Sequence, residues 1–516
     1  MKENPLVLTL DFGTQSVRTA LINKSGEIVY LSKKAYKPIS FALKTGYAEQ
    51  FADFYWDNLV ECLKKLSKES LENLNDIIAM TVTTFRDSAV LLDEDNKPLR
   101  PIILWMDQRL AKAKEKLPLM HRLAFKLVGM QDAITMNRTR TAAHWIKENE
   151  PDVWAKTKKY VNISTYINYR LTGELADSPG GLTGHYPLNY KKAEWYKEGA
   201  MKGRIFGIPN RMLPKVVKPG EVIGRLTDEI AKECGLPKGI KLIATGSDKG
   251  CETVGLGCLT PDIGAISYGT ACTIEVSNPK YHEPEPFLPA YAAAVPGLYN
   301  MDVQIYRGYW MLRWFSSEFA SELEKEAKEK ELPIEAILDQ WLNDVPVGSD
   351  GLILQPYWGP GLARPLAKGA IVGFSSVHTR KHIYRAIVEG IAFALREGLE
   401  SIEKSQRHKV KSLRISGGGS LSDEVCQITA DIFGLEISRV QTIESTSLGA
   451  ALATFTAVGE FPTIHDAVKS MTNISKVFKP NLNNYKRYNQ IYKEIYLKVY
   501  PRLNPINRLI NKLFKR

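Results

Sequence analysis

Cysteine is scarce. The 516-residue chain holds six, Cys62, Cys234, Cys251, Cys258, Cys272 and Cys426, and no two form a Cys-x-x-Cys pair. That spacing signals neither a zinc site nor a dithiol redox motif, and so low a density fits free thiols in a reducing compartment. No apolar run is long enough to cross a bilayer. The apolar stretch after Met1 meets Asp11 too early for a signal-peptide core, so a soluble cytoplasmic protein is the expectation. No Gly-x-x-x-x-Gly-Lys-Ser/Thr sequence occurs, which excludes a P-loop. Short-period repeats and low-complexity segments are also absent.

The rest of the composition is ordinary: 44% hydrophobic and 24% charged, in a chain long enough for two or more domains. The net charge is +12. A basic excess can mark nucleic-acid or acidic membrane partners. Here it lies largely in the C-terminal segment, so no nucleic-acid footprint of the whole chain is read from it. A phosphate-bearing substrate suits a mildly basic surface.

The most informative stretch is Leu8-Thr9-Leu10-Asp11-Phe12-Gly13-Thr14-Gln15-Ser16-Val17-Arg18. An apolar run ends on a carboxylate, a glycine and hydroxyls, as a buried strand entering a tight turn does. The glycine lets backbone N–H groups approach a phosphate, Thr14 and Ser16 add hydroxyls, and Asp11 is placed to hold a cation bridging phosphates. Asp11-Phe12-Gly13 mimics the protein-kinase metal motif, but no His-Arg-Asp catalytic loop can precede it so near the N-terminus. A second copy follows at Ser267-Tyr268-Gly269-Thr270-Ala271. Each turn alone is an ordinary strand end. Together they suggest a duplicated fold gripping one nucleotide from both sides.

Periodicity places helices over residues 54–67, 142–150, 160–171, 382–396, 423–433 and 447–458, and strands over 6–10, 19–22, 77–82, 90–93, 101–105, 241–244 and 413–415. Residues 209–239 look like a Pro- and Gly-rich connection with short strands. A domain boundary is expected near 250–255.

Three further features carry chemistry. Asp248 follows a buried strand and Gly246; it is either a proton acceptor or the cap of the next helix. Gly417, Gly418 and Gly419 follow a strand and lie flat against a base or ribose, or form a flexible turn. Arg86-Asp87 can hydrogen-bond several hydroxyls of a polyol, or form a surface ion pair.

In order along the chain stand Asp11-Phe12-Gly13-Thr14-Gln15-Ser16-Val17-Arg18, Gly46-Tyr47-Ala48-Glu49-Gln50, Trp105-Met106-Asp107-Gln108-Arg109, Leu171-Thr172-Gly173-Glu174, Val222-Ile223-Gly224, the Asp248 loop, Lys368-Gly369-Ala370-Ile371-Val372-Gly373-Phe374, Arg385-Ala386-Ile387-Val388-Glu389-Gly390, Ser416-Gly417-Gly418-Gly419 and Ser447-Leu448-Gly449-Ala450-Ala451. This series resembles the FGGY family of carbohydrate kinases, in the actin/Hsp70-like ATPase superfamily, from about Leu6 to Phe461.

The resemblance implies an α/β fold: two RNase H-like domains, mixed sheets flanked by helices, and an active-site cleft between them. Residues 1–253 would bind the sugar and 254–472 the nucleotide, with 473–516 a basic helical tail. It implies ATP and Mg²⁺, a small sugar or polyol partner and no nucleic acid; a homodimer is compatible with it. Carried over by position, Asp248 is the base and touches the substrate, and Asp11 lies near the metal. Thr14, Gln15, Ser16 and Arg18 form the first phosphate loop, and Gly269 and Thr270 the second. Gly373, Gly417, Gly418 and Ser422 contact the nucleotide, and Arg86 and Asp87 the polyol.

The chain departs from the family pattern in places. Lys249 stands where many relatives carry Gln, Ala142 where the first signature has Lys, Phe374 where an aliphatic residue is usual, and Asn137 where glycerol kinases place a substrate-binding Tyr. The stretch from Trp105 to Arg109 looks xylulokinase-like, whereas Arg86-Asp87 looks glycerol-kinase-like. The expected activity is ATP-dependent phosphorylation of a sugar or polyol hydroxyl, a pentulose such as xylulose first. The alternatives are glycerol, another polyol, a sugar acid, or a degenerate nucleotide-dependent sugar-binding or chaperone-like protein.

In the tail, Tyr485, Tyr488, Tyr492, Tyr496 and Tyr500 share one helical face, expected to pack on the second domain and to end at Pro501. For the basic amphipathic segment 504–516, membrane or partner binding stays open.

Overall fold

Two sheets of matching topology organise the chain. The computed structural model describes residues 3–514 except 286, 287, 360, 362, 363 and 365. In the first sheet Leu6–Phe12 pairs antiparallel with Ser16–Asn23, which pairs with Ile28–Ala35. On its other side Leu6–Phe12 runs parallel to Ile77–Thr84, which runs parallel to Lys241–Ile243. The second sheet repeats this: Ile263–Tyr268 pairs antiparallel with Cys272–Asn278, which pairs with Tyr299–Ile305, while Ser412–Ser416 and Glu436–Val440 continue in parallel. Antiparallel edge strands close each parallel side, Val222–Arg225 in the first and Ile474–Phe478 in the second. The duplication suggested by the two Gly-Thr turns is thus a duplication of sheet topology.

Helices cover both faces, which is why the central strands read as near-continuous apolar runs. The helix Ala52–Glu69 buries Trp56, Leu59, Val60, Leu63 and Leu66 against the first sheet. The helix Arg380–Gln406 does the same for the second, with Ala386, Ile387, Ile391 and Ala394 buried and Ile383 partly so. Between the sheets run Asp248–Gly255 and Ser445–Ala457. They cross at two glycines. A Cβ on Gly255 would lie 1.9 Å from the Ser445 carbonyl oxygen, and one on Gly449 would lie 1.8 Å from that of Cys251. The Ser445–Ala457 helix also packs on Val7, Ala20 and Ile22 of the first sheet. This crossing joins the two halves.

The structure alters several sequence expectations. Residues 160–162 belong to the strand Lys159–Asn162, which pairs with Ala89–Leu92, and the helix begins only at Ile163. Pro151 does not merely end a helix; it occupies the first turn of the next, Pro151–Lys156, where its missing N–H costs nothing. The connection 209–239 contains the helix Asp228–Cys234, capped by Thr227 and closed by Gly235. The expected boundary at 253/254 falls inside Asp248–Gly255, and Ile474–Phe478 joins the second sheet, so that sheet extends beyond residue 472.

The tyrosine stripe is core: Tyr488, Tyr492 and Tyr496 are buried, and all three rings lie against Phe393. The helix does not stop at Pro501. After a π-helical turn at Tyr492–Tyr496 it runs on as Leu497–Leu513 through Pro501 and Pro505. All six cysteines are free and buried. No described helix is long and apolar enough to cross a membrane.

Candidate active site

A cleft of about 1340 Å³ lies between the two halves. Its walls include Asp11, Thr14, Gln15, Ser16, Arg18, Arg86, Asp87, Asp248, Gly269, Thr270, Gly417, Gly418 and Ser422. Gly373 does not join them. It follows the strand Ala370–Val372, at φ +101°, where a Cβ would lie 2.2 Å from the Gly351 carbonyl oxygen. Its glycine answers a backbone contact.

The two Gly-Thr turns face each other, and Gln15 Nε2 donates to Thr270 Oγ1 at 3.2 Å. The Trp105 indole N–H donates to Thr14 Oγ1 at 3.3 Å. Arg18 lies 3.4 Å from Asp11 Oδ2 and 2.8 Å from Glu444 Oε2, tying the first turn to the start of the Ser445–Ala457 helix. Burial pushes the Asp11 carboxyl up to about 7, against the pull of Arg18.

Asp248 is the first residue of its helix. Ser247 is the cap, accepting from the Gly250 N–H, so Asp248 is left free of capping duty. Its Oδ1 accepts from the Lys249 N–H at 2.8 Å. Burial raises its carboxyl above the ordinary value, against Lys249 and Arg86. The Lys249 ammonium reaches Glu252 at 2.8 Å and Ser267 Oγ at 2.5 Å, and both lysine and glutamate line the cleft.

Arg86 and Asp87 do not pair with each other. The Arg86 guanidinium donates to Ser247 Oγ at 3.0 Å, to Glu275 Oε1 at 3.0 Å and to Asp302, the last two from the second sheet. It clamps the two halves at the cleft floor. Asp87 instead accepts from the His185 N–H at 2.9 Å and meets the His185 ring at 2.6 Å. Burial works against the Asp87 charge, but these contacts outweigh it and hold the carboxyl below its usual value.

Elsewhere on the cleft wall, Gly417 passes close to the Tyr268 backbone and Gly419 close to the Tyr309 ring. A Cβ on Gly417 or Gly419 would strike Tyr268 or Tyr309, whereas one on Gly418 would meet nothing within 4 Å. The open position is therefore Gly418. Ser422 both lines the cleft and caps Asp423–Phe433, accepting from the Val425 N–H at 3.2 Å.

Sequence reasoning missed His185, Arg140, Glu444, Tyr306 and Arg439, all of which line the cleft. The Gly-rich run Gly180-Gly181-Leu182-Thr183-Gly184 before His185 was the available signal. The others reach the site only through long-range folding. Asn137, noted as a departure, also lines it. Arg109 does not; it is held by Asp107 and Glu49 between the rings of Tyr47 and Trp145.

The residues present fit a phosphate-bearing nucleotide and a cation. Asp11 Oδ1 is buried without a hydrogen-bond partner, and the Gly418 backbone is open for close approach. No cluster of three or more His, Cys, Asp or Glu ligands occurs among the described residues, so a cation would complete its shell with phosphate oxygens and water, as Mg²⁺ commonly does.

Comparison with known proteins agrees with this architecture. A xylulose kinase of Lactococcus lactis subsp. lactis (strain IL1403) is 30% identical over 493 residues, covering 94% of this chain and 95% of the relative. A solved gluconate kinase from Lactobacillus acidophilus matches with a TM-score of 0.81 at 23% identity, over 97% of this chain and 98% of that one. A Plasmodium falciparum glycerol kinase solved with ADP matches with a TM-score of 0.74 at 19% identity, over 96% and 98%. The model of the FGGY carbohydrate kinase N-terminal domain matches residues 6–255, and that of the C-terminal domain matches residues 264–458. The chain belongs to the FGGY family of carbohydrate kinases.

Proposed function

We propose that the chain transfers a phosphoryl group from ATP to a hydroxyl of a pentulose such as xylulose, with Asp248 as general base. One observation carries the reading: a carboxylate free of capping duty lines a cleft in which two Gly-Thr turns from duplicated sheets meet. In this reading the half built on the first sheet binds the acceptor and supplies the base and the first phosphate turn, and the half built on the second sheet binds the rest of the nucleotide. The ADP of the Plasmodium relative supports ATP as donor, and the Lactococcus relative supports a pentulose.

Asp248 orients the acceptor hydroxyl and takes its proton as the oxygen attacks the terminal phosphorus and the bond from that phosphorus to the β–γ bridging oxygen breaks, with ADP as the leaving group. Thr14, Gln15, Ser16, Gly269 and Thr270 hold the phosphates in line, Arg18 and Lys249 supply positive charge nearby, and Asp11 would hold Mg²⁺. Mg²⁺ when bound offsets charge on the phosphates. Gly417, Gly418 and Ser422 face the nucleoside. Asp87, ordered by His185, meets acceptor hydroxyls; Arg86, committed to Glu275 and Asp302, sets the floor on which they sit.

A second reading, a sugar acid, draws on Arg140. It lines the cleft over the Tyr306 ring and forms no salt bridge with a described carboxylate, so an acceptor carboxylate would give it an ion-pair partner. An ATP-consumption screen over pentuloses, hexuloses, polyols and sugar acids tests both. The highest kcat/KM is expected with a pentulose. A sugar acid in first place transfers the assignment to the second reading, and no turnover above background on any of them overturns the kinase assignment.

A further inference from the structure

The helix Leu497–Leu513 presents its faces in reverse. A surface helix normally turns its apolar stripe to the core and its polar residues to water. Here the polar residues turn inward. Asn507 is 6% exposed, and Asn511 Nδ2 donates to the Leu366 carbonyl at 3.1 Å. Ile506, Leu509, Ile510 and Leu513, spaced as one helical stripe, turn outward, with Leu509 at 58% and Leu513 at 74% exposure. Phe514 extends the stripe.

The charge around the stripe has one sign. From residue 495 to the last residue the sequence contains no Asp or Glu, and six Lys or Arg: Lys498, Arg502, Arg508, Lys512, Lys515 and Arg516. Lys498, Arg502, Arg508 and Lys512 are exposed, and none makes a salt bridge with a described carboxylate. The family models stop at residue 458, so this helix lies outside both.

We propose that this helix docks the enzyme on an anionic lipid surface. An outward apolar stripe on a helix whose only charged residues are cations matches an acyl boundary beneath negative headgroups, the setting in which basic amphipathic helices lie flat. A second copy of the chain is disfavoured, because a symmetric contact would set these cations against their own copies with no acidic partner on the stripe. The stripe contributes no residue to the cleft wall.

The test is vesicle co-sedimentation of the full-length enzyme, on phosphatidylcholine vesicles with and without about a third phosphatidylserine, at about 0.1 and 0.5 M NaCl. Binding is expected only to the anionic vesicles and weaker at the higher salt. Leu509→Asp with Leu513→Asp, and separately Arg508→Glu with Lys512→Glu, should each lower partitioning at least about tenfold while leaving kinase turnover and circular dichroism unchanged. The variants alter exposed side chains, so they test docking rather than folding. Absence of binding to anionic vesicles, equal binding to neutral ones, or binding indifferent to both double variants overturns the proposal. So does light scattering that shows a dimer lost in the Leu509→Asp/Leu513→Asp variant without any vesicle binding, which would assign the stripe to a second copy.

Discussion

Gln15 of the first Gly-Thr turn donates a hydrogen bond to Thr270 of the second, across 255 residues of sequence and 3.2 Å of space. The two turns end matching strands of two sheets, so this bond links equivalent corners of the duplicated fold. A double-mutant cycle with Gln15→Ala and Thr270→Val, read on kcat/KM for ATP, should give a coupling of about 0.5–1.5 kcal/mol. Additive single effects would place the turns apart in the working enzyme.

Arg86 and Asp87 are neighbours with different duties. Arg86→Ala leaves Glu275 and Asp302 buried without their cation, and should cost about 3–5 kcal/mol in chemical unfolding. Asp87→Asn, by contrast, should raise the acceptor KM by about tenfold through a lost charged hydrogen bond, with little change in the ATP KM. If Arg86→Ala unfolds like the wild type, the clamp is not structural. If Asp87→Asn raises both KM values equally, Asp87 is not on the acceptor.

Glu275 gives a pH signature. Burial, then the neighbouring Asp302 charge, raises its carboxyl from 4.5 to about 7, against Arg86. A carboxyl raised in the fold contributes stability that is fully present below the unfolded value and is lost as pH rises through the folded one. Wild-type stability should therefore lose this contribution between about pH 4.5 and 7. Glu275→Gln removes the titration, so the Tm of the variant relative to wild type should climb across that window. A constant difference would assign the titration elsewhere.

The helix crossing at Gly255 and Gly449 has no room for a methyl group. Gly449→Ala should destabilise by about 1–3 kcal/mol or more through overpacking, because the atom it meets is backbone and cannot rotate away. Thermal unfolding at wild-type Tm would show that the crossing gives way freely.

The parts legible in the sequence were those fixed locally. Asp11 to Ser16 announced a strand end and a tight turn through apolar run, glycine and hydroxyls, and the tyrosine spacing announced a buried face. Strand pairing was harder. Lys159–Asn162 looked helical because its apolar residues continue into the helix at Ile163, and only its partner Ala89–Leu92 makes it a strand. Pro501 looked like a helix end, yet the packing of Tyr488, Tyr492 and Tyr496 on Phe393 carries the helix to it and beyond. At the site, Asp248 could be singled out but not freed from a capping role until Ser247 was seen to cap the helix. The ion pairs of Arg86 could not be read, because its partners, Glu275 and Asp302, lie 189 and 216 residues away. Gly373, carried over to the nucleotide by family position, is not among the residues lining the cleft, and its backbone contact with Gly351 could not be read from the sequence.

In the proposed mechanism Asp248 accepts the proton of the acceptor hydroxyl. The direct test is the turnover and pH profile of Asp248→Asn with the best acceptor from the screen. Turnover should fall about 10²–10⁴-fold, with the ATP KM retained. The wild-type acid limb of kcat/KM should lie above the ordinary carboxylate value of 3.8, because burial raises the group that must be ionised to accept a proton. Near-wild-type turnover in Asp248→Asn, with the acid limb unmoved, would contradict the account.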